Sequence, residues 1–254
     1  MTTSPWIQRA RRLLDAVEAQ GEEIEASSRV CADAIASDGL VHVFGTGHSR
    51  IPVEELFPRY GSYPGFHPLV ELSMTFHTQV VGANGQRQAM FIERVEGLAK
   101  AILDNFVLRP TDAMIVFSHS GVNAVPVEMA MIAKEHGLSV IAVTSLAQNG
   151  ASQPVHPSGT RLIDHADIVL DLATPDGDAL VEVDGFPAPI GPGSSLSAIA
   201  IANAVKVRTA EMLAEKGISL PVISRQAAAG GAEGDLFERA YAEHARRLAA
   251  VLRT

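Results

Sequence analysis

Residues 40–49 read LVHVFGTGHS, a short apolar run that ends in a turn of glycine, threonine and serine. The apolar part, 40–44, is continuous rather than alternating, which is typical of a strand covered on both faces of its sheet. Similar runs of four or five residues occur at 113–117, 140–143 and 168–172, with a weaker candidate at 68–72. These runs predict the strands of a parallel sheet.

Helical stretches separate these strands. Apolar residues at helical spacing predict helices over 6–19, 22–37, 86–105, 123–136 and 194–216, and a last helix opening at Asp235. A small hairpin is predicted over Val181 to Asp184, where the chain reaches the turn pair Asp184-Gly185. Strands that alternate with helices are joined by crossovers, so we predict an α/β fold with a doubly wound parallel sheet.

The chain reads as one domain over 1–254 without an internal repeat. Its core spans about 25–220, preceded by a helical extension over 1–24 and followed by a tail over 221–254. A length of 254 residues with 47% hydrophobic residues is sufficient to bury one large core.

The charge balance limits the partners. The chain has 20 Lys and Arg against 29 Asp and Glu, a net charge of -9, and no basic run interleaved with aromatic residues. We therefore predict no nucleic-acid partner, and an anionic ligand would be held locally by backbone N–H groups and hydroxyls. With no signal-peptide-like or membrane-spanning apolar stretch and one cysteine, Cys31, we predict a cytoplasmic protein without a membrane partner.

Two turns carry most of the polar chemistry. The first strand ends in Gly45-Thr46-Gly47-His48-Ser49, and the strand over 113–117 ends in Ser118-His119-Ser120-Gly121-Val122-Asn123. Ligands of open α/β sheets bind at the carboxyl ends of the strands, where glycines and hydroxyls suit a phosphate. Either turn alone is equally typical of an ordinary strand-to-helix connection. The pair, at one edge of an acidic chain, favours an anion site.

These motifs resemble the SIS (sugar isomerase) domain. The resemblance rests on GTGHS at 45–49, SHSGVN at 118–123 and VTS at 143–145, and extends over roughly 25–220. It is closest to stand-alone bacterial SIS proteins similar to phosphoheptose isomerase, through the stretches VEELFPR at 53–59, SGVNAVPVEMA at 120–130 and IAVTSL at 141–146. It implies a flavodoxin-like, five-stranded parallel sheet in a homodimer or homotetramer with shared sites.

The resemblance also implies a ligand, a small-molecule sugar phosphate, bound through the hydroxyls of Ser49, Ser118, Ser120 and Thr144. With their neighbours in the three motifs and Ser195 at the start of the long helix, the predicted phosphosugar-binding residues are Gly47, Ser49, Ser118, His119, Ser120, Gly121, Asn123, Thr144, Ser145 and Ser195. The first turn lacks the third glycine of a dinucleotide fingerprint, and both lack the lysine of a P-loop. We predict no cofactor, and no histidine spacing supports a metal site.

Isomerising a sugar requires a base beside the carbonyl and a group that moves a proton between two oxygens. The stretch around Glu55 is similar to the segment that holds the catalytic glutamate of phosphoheptose isomerase, although it lies four residues nearer to the loop serine. A solvent-facing glutamate on a helix is the alternative. His48 in the first turn and His77 in MTFHT are the predicted histidine partners.

We therefore predict an aldose–ketose sugar phosphate isomerase, an intramolecular oxidoreductase of carbohydrate metabolism. Two alternatives stay open: a non-catalytic phosphosugar sensor or binding module, and a sugar phosphate lyase or etherase that uses the same base.

Overall fold

The computed structural model describes residues 4–74, 86–224 and 234–253. Its central sheet has five strands, with the bounds β1 Val41–Gly45, β2 Phe66–Leu69, β3 Ala113–Phe117, β4 Ser139–Thr144 and β5 Ile168–Asp171. All four neighbouring pairs are parallel, in the order β2-β1-β3-β4-β5. The predicted doubly wound, five-stranded parallel sheet is confirmed.

The weaker strand candidate at 68–72 was placed too late in the chain. The strand begins at Phe66 because Val41 N donates to Gly65 O and the register pairs Val41 with Phe66. This register matches the rest of β2 to β1, ending with Phe44 opposite Leu69.

Nine helices lie in the described part of the chain: α1 Pro5–Glu18, α2 Gly21–Ala36, α3 Ile51–Leu56, α4 Gln86–Ile92, α5 Leu98–Leu103, α6 Ala124–Glu135, α7 Leu146–Ala151, α8 Ser194–Glu215 and α9 Gly234–Ala249. The prediction of one helix over 86–105 is wrong, because the helix is interrupted between Ile92 and Leu98, where α4 ends and α5 begins. Gly97 has a φ of +79°, and its N–H donates to the Glu128 carboxylate of α6 at 2.8 Å. This left-handed glycine is the N-cap residue of α5, so α5 begins as a new helix after the turn that follows α4.

A hairpin follows the central sheet, formed by β6 Ala179–Val181 and the antiparallel β7 Ile190–Pro192. The hairpin predicted here is present, with Asp184 and Gly185 in its connection, but its first strand ends at Val181 and does not run to Asp184. The first helix supports this region: Trp6 Nε1 donates to Pro192 O at 3.2 Å.

The sheet is covered on both faces, as the continuous apolar runs predict. Successive side chains of a strand point to opposite faces. Val43 accordingly packs with Ile35 and Val205 on the face of α2 and α8, whereas Phe44 packs with Met129 on the face of α5 and α6.

A polar cluster lies buried at the opposite edge of the sheet from the carboxyl ends. His42 of β1 and His67 of β2 are 2.8 Å apart through their Nδ1 atoms, and His42 Nε2 lies 3.6 Å from Asp112 Oδ2. Burial disfavours the charged form of His67, so this ring is neutral, and it shares one hydrogen bond with His42 through the two Nδ1 atoms. Burial and the neighbouring His42 and His244 lower the pKa of His67 to about 3.

This cluster predicts acid sensitivity. The His67 ring has a pKa of 6.5 in an unfolded chain and about 3 in the fold. The unfolded state therefore binds the extra proton below pH 6.5, and the free energy of unfolding falls by up to about 1.4 kcal/mol per pH unit towards pH 3. Urea unfolding at pH 7.5, 6.0 and 5.0 measures this slope.

The matched variants are His67→Phe, which keeps a ring against Phe106, and His136→Gln, which changes a surface histidine. We expect a shallower slope in His67→Phe than in the unmodified protein or His136→Gln. Equal slopes in all three would contradict this account of the buried cluster.

Candidate functional site

A cleft of about 840 Å³ opens at the carboxyl edge of the sheet. Its walls come from the loops after β1 and β3, α4, the start of α8 and the two arms of the hairpin. The lining residues include Thr46, Gly47, His48, Ser49, Met90, Glu93, Ser118, His119, Ser120, Asn123, Gln148, Asp178, Ser194 and Ser195. The two hydroxyl-bearing turns therefore meet in one site.

The first loop depends on Gly45. A Cβ atom on Gly45 would lie 2.2 Å from the carbonyl oxygen of Ser49, so the chain can fold back here only over glycine. The turn then forms a 3₁₀ helix over Gly47–Arg50 that leads into α3. This path brings three predicted residues to the cleft: Gly47, His48 and Ser49.

Two hydrogen bonds fix the backbone of the second loop, residues 118–123. Ser118 Oγ accepts a hydrogen bond from Gly121 N at 3.2 Å, and Asn149 Nδ2 donates to Ser120 O at 2.9 Å. Gly121 turns the chain with a φ of +65° and does not itself line the cleft. Ser118 and Ser120, on either side of His119, line the cleft.

Thr144 and Ser145 lie behind the second loop and are fully buried. Thr144 Oγ1 donates to His119 O at 3.0 Å. Ser145 Oγ donates to Thr174 O at 2.7 Å and accepts from Gln148 N at 3.2 Å, which caps α7. Both hydroxyls hold the backbone of neighbouring loops, and the structure places neither of them on the cleft.

The Asp178 carboxylate caps the start of α8. Asp178 Oδ1 accepts from the backbone N–H groups of Gly193 at 3.0 Å and Ser194 at 2.7 Å. Asp178 Oδ2 accepts from Ser194 Oγ at 2.6 Å. The carboxylate satisfies these free N–H groups and complements the positive end of the helix dipole. Ser195 lines the cleft beside this cap.

His119 faces the same corner. Its Nε2 atom lies 3.0 Å from Thr174 Oγ1 and 3.8 Å from Asp178 Oδ1. Burial lowers the pKa of His119 against the opposing effect of Asp178 and Asp176. The ring is therefore mostly neutral at pH 7, able to accept a proton at one nitrogen and donate one at the other.

Glu93, just beyond α4, connects the two loops. Its Oε2 accepts from Thr46 Oγ1 at 2.5 Å, and its Oε1 accepts from Asn123 Nδ2 at 2.8 Å. Burial raises the pKa of Glu93, although Thr46 and Arg94 act in the opposite direction. No sequence pattern marks this residue, because it follows an ordinary helical stretch and meets the loops only through tertiary packing.

Glu55 of α3 faces α8 instead of the cleft. Its Oε1 accepts from Asn203 Nδ2 at 3.1 Å, and its Oε2 lies 3.0 Å from Arg59 Nη1. Asn203 is eight residues beyond Ser195, about 12 Å further along the helix. Glu55 is accordingly absent from the described residues that line the cleft.

The structure thus brings together eight of the predicted site residues: Gly47, His48, Ser49, Ser118, His119, Ser120, Asn123 and Ser195. It places four others away from the cleft: Glu55, Gly121, Thr144 and Ser145. His77 lies outside the described residues. Beside the predicted residues the cleft holds Glu93, Asp178 and Gln148.

The profile of the SIS domain matches residues 5–145, more than half of the chain. The chain belongs to the SIS domain family. A UPF0309 protein of Streptomyces coelicolor is 38% identical over 216 residues, which cover 84% of each chain. A UPF0309 protein of Brucella ovis is 36% identical, over 86% of this SIS chain and 85% of the relative.

Among solved structures, a phosphoheptose isomerase from Francisella tularensis superposes on this SIS domain with a TM-score of 0.53. The match has 13% sequence identity and covers 81% of this chain and 95% of the neighbour. At that identity the likeness establishes the shared fold.

Two absences hold for residues 4–74, 86–224 and 234–253. Within these ranges no helix has the length and hydropathy needed to cross a membrane. Within the same ranges no group of three or more His, Cys, Asp or Glu side chains is arranged to hold a metal ion.

The packing of the second loop predicts that alanine destabilises the protein more at Gly121 than at Gly159. A Cβ on Gly121 would lie 2.9 Å from Asn149 Nδ2 and 3.0 Å from Thr144 Oγ1, whereas a Cβ on Gly159 meets nothing within 4 Å. Both have positive φ, +65° and +72°, so alanine at either position costs about 1–2 kcal/mol for its backbone. The crowding should cost Gly121→Ala about 1–3 kcal/mol more.

Urea unfolding of Gly121→Ala and Gly159→Ala at pH 7.5 measures both losses. Equal losses at the two positions would contradict the packing described for the loop.

Proposed function

We propose that the cleft binds a small-molecule sugar phosphate and that the protein is an aldose–ketose sugar phosphate isomerase. The observation that carries the proposal is the meeting of three hydroxyl-bearing segments at one edge of the sheet, around Ser49, Ser118 to Ser120 and Ser195. Serine hydroxyls and loop N–H groups are the neutral donors that a phosphate accepts from.

The charges of the cleft support phosphate binding by neutral donors. Among the described residues that line it, none is lysine or arginine, and the acidic ones are Glu93 and Asp178. Asp178 is already bound to the start of α8. We therefore place the phosphate on the two loops, where the twelve-residue α6 begins directly after Asn123, a residue that lines the cleft.

The reaction is inferred from the acid–base groups rather than from the fold, since one fold hosts many reactions. The cleft places a carboxylate, Glu93, and two histidines, His48 and His119, around a single volume. Transfer of a proton between adjacent carbons and between two oxygens requires such groups. The shared fold with phosphoheptose isomerase agrees with this reaction class.

Glu55 keeps the catalytic role that the motif resemblance implies only as a prediction, as does His77. Assembly into a homodimer or homotetramer with shared sites, and a cytoplasmic location, also stay predictions. Whichever residue is the base, the bound phosphate has the same effect. Its binding energy, at the end of the substrate remote from the reaction, orients the reacting carbons.

A non-catalytic phosphosugar sensor is the second candidate. It is favoured by the pairing of Glu55 with Asn203 and Arg59 on the α8 side of the molecule. A sensor needs the phosphate loops but no base beside the sugar carbons.

The serine loops predict how affinity depends on single hydroxyls. Ser49→Ala and Ser120→Ala each remove a hydrogen bond to a charged group, which is worth about 1.5–3 kcal/mol, so sugar phosphate affinity falls roughly 10- to 150-fold. Calorimetric titration with five- to seven-carbon aldose and ketose phosphates measures the change, with Ser139→Ala at the far end of β4 as the control.

The same panel, followed by NMR for interconversion of aldose and ketose, separates the two functions. Turnover of at least one sugar phosphate is the expected result. Binding without turnover across the panel would support the sensor. Equal binding of the sugars without phosphate would overturn the phosphate site itself.

A further inference from the structure

The carboxylate of Glu93 lines the cleft and is held in one position by hydrogen bonds to both loops. Glu93 N–H donates to Ala89 O and Glu93 O accepts from Val125 N at 3.0 Å, so the residue is fixed to the end of α4 and to α6. Its carboxylate then extends between Thr46 of the first phosphate loop and Asn123 after the second. Each oxygen has one neutral donor, which orients the carboxylate and leaves lone pairs for a ligand.

The other carboxylates near the loops are engaged in different tasks. Asp178 accepts three hydrogen bonds at the start of α8. Glu55 contacts Asn203 and Arg59, away from the cleft. Of the two described carboxylates that line the cleft, Asp178 is bound to the start of a helix, whereas Glu93 is held by the side chains of Thr46 and Asn123.

The environment of Glu93 also suits proton transfer. Burial raises the pKa of its carboxyl, which brings proton exchange closer to neutral pH. The groups that share its surroundings are His48, His119 and Asp178 across the cleft, with Arg94 next in the chain.

We propose that Glu93 is the catalytic base that carries the proton between the two reacting carbons of the sugar phosphate. This inference rests on the proposed isomerase function and names its central residue. Glu93 takes the proton from C2 of the aldose, the C–H electrons form the C1=C2 bond, and the carbonyl electrons move to O1, which gains a proton. O2 then loses its proton as its carbonyl forms, and C1 receives the proton from Glu93.

The number of protons balances in this sequence. The proton gained by O1 equals the one lost by O2, and a cleft histidine or water transfers it. No oxidant, metal or second substrate is consumed.

The test compares four variants in deuterated buffer with the sugar phosphate that the unmodified protein turns over. Exchange of the C2 proton with solvent, followed by NMR, should fall about 10²- to 10⁴-fold in Glu93→Gln. Affinity for the sugar phosphate should change less than about tenfold, because the phosphate is held by the serine loops. Glu93→Asp keeps a carboxylate and should retain more exchange than Glu93→Gln.

Glu55→Gln tests the competing base, and Glu96→Gln is the matched control, an exposed glutamate three residues beyond Glu93. Loss of exchange in Glu93→Gln, with exchange retained in Glu96→Gln, supports the proposal. Retained exchange in Glu93→Gln, or loss in Glu55→Gln with Glu93→Gln active, overturns it.

A pH profile distinguishes a reactive Glu93 from one that merely connects the loops. The Thr46 hydroxyl stabilises the ionised carboxylate and so lowers its pKa. Thr46→Val removes that bond, and the acidic limb of kcat should move to higher pH. An unmoved limb, or loss of affinity in Glu93→Gln equal to its loss of turnover, would assign Glu93 a structural role. No turnover by the unmodified protein on any sugar phosphate would instead overturn the proposed function.

Discussion

The parallel register of β1 and β3 is the constraint on which the site depends. Gly45 lies opposite Phe117, so the two central strands end at the same height. Ser49 therefore emerges beside Ser118 at the carboxyl edge, and a single ligand can meet both. A shift of this register would separate the loops and leave two ordinary strand-to-helix turns.

In the proposed function, hydroxyls, backbone N–H groups and helix ends hold the phosphate at this edge of the sheet. That choice suits a chain with a net charge of -9 whose described cleft residues include no lysine or arginine. The acidic residues of the cleft are each restrained: Asp178 by the start of α8, and Glu93 by Thr46 and Asn123. In the proposed function, the phosphate binds at the serine loops and Glu93 lies close to the sugar carbons.

Sequence patterns predicted the parts of the fold that depend on local chemistry. Continuous apolar runs indicated the strands because each is buried on both faces, and the turns around Ser49 and Ser118 were found because strand ends are where ligands bind. The direction in which a side chain points is harder to predict from sequence patterns. Thr144 lies at the carboxyl end of β4, as Ser118 lies at the end of β3, yet its hydroxyl donates to His119 O and is absent from the cleft. Glu93 reaches the loops because α4 ends at Ile92 and α6 packs beside it, where Val125 N donates to Glu93 O, and such contacts leave no motif.

A crystal structure of the protein with a bound, slowly reacting sugar phosphate analogue would test the central claim most directly. We predict that the phosphorus lies over the second loop, with its oxygens within about 3 Å of the hydroxyls of Ser118 or Ser120 and of Ser49. The reacting carbons should lie next to the Glu93 carboxylate. A phosphate bound elsewhere, such as the separate cavity beside Arg9 and Arg12 of α1, with the serine loops empty, would contradict the account.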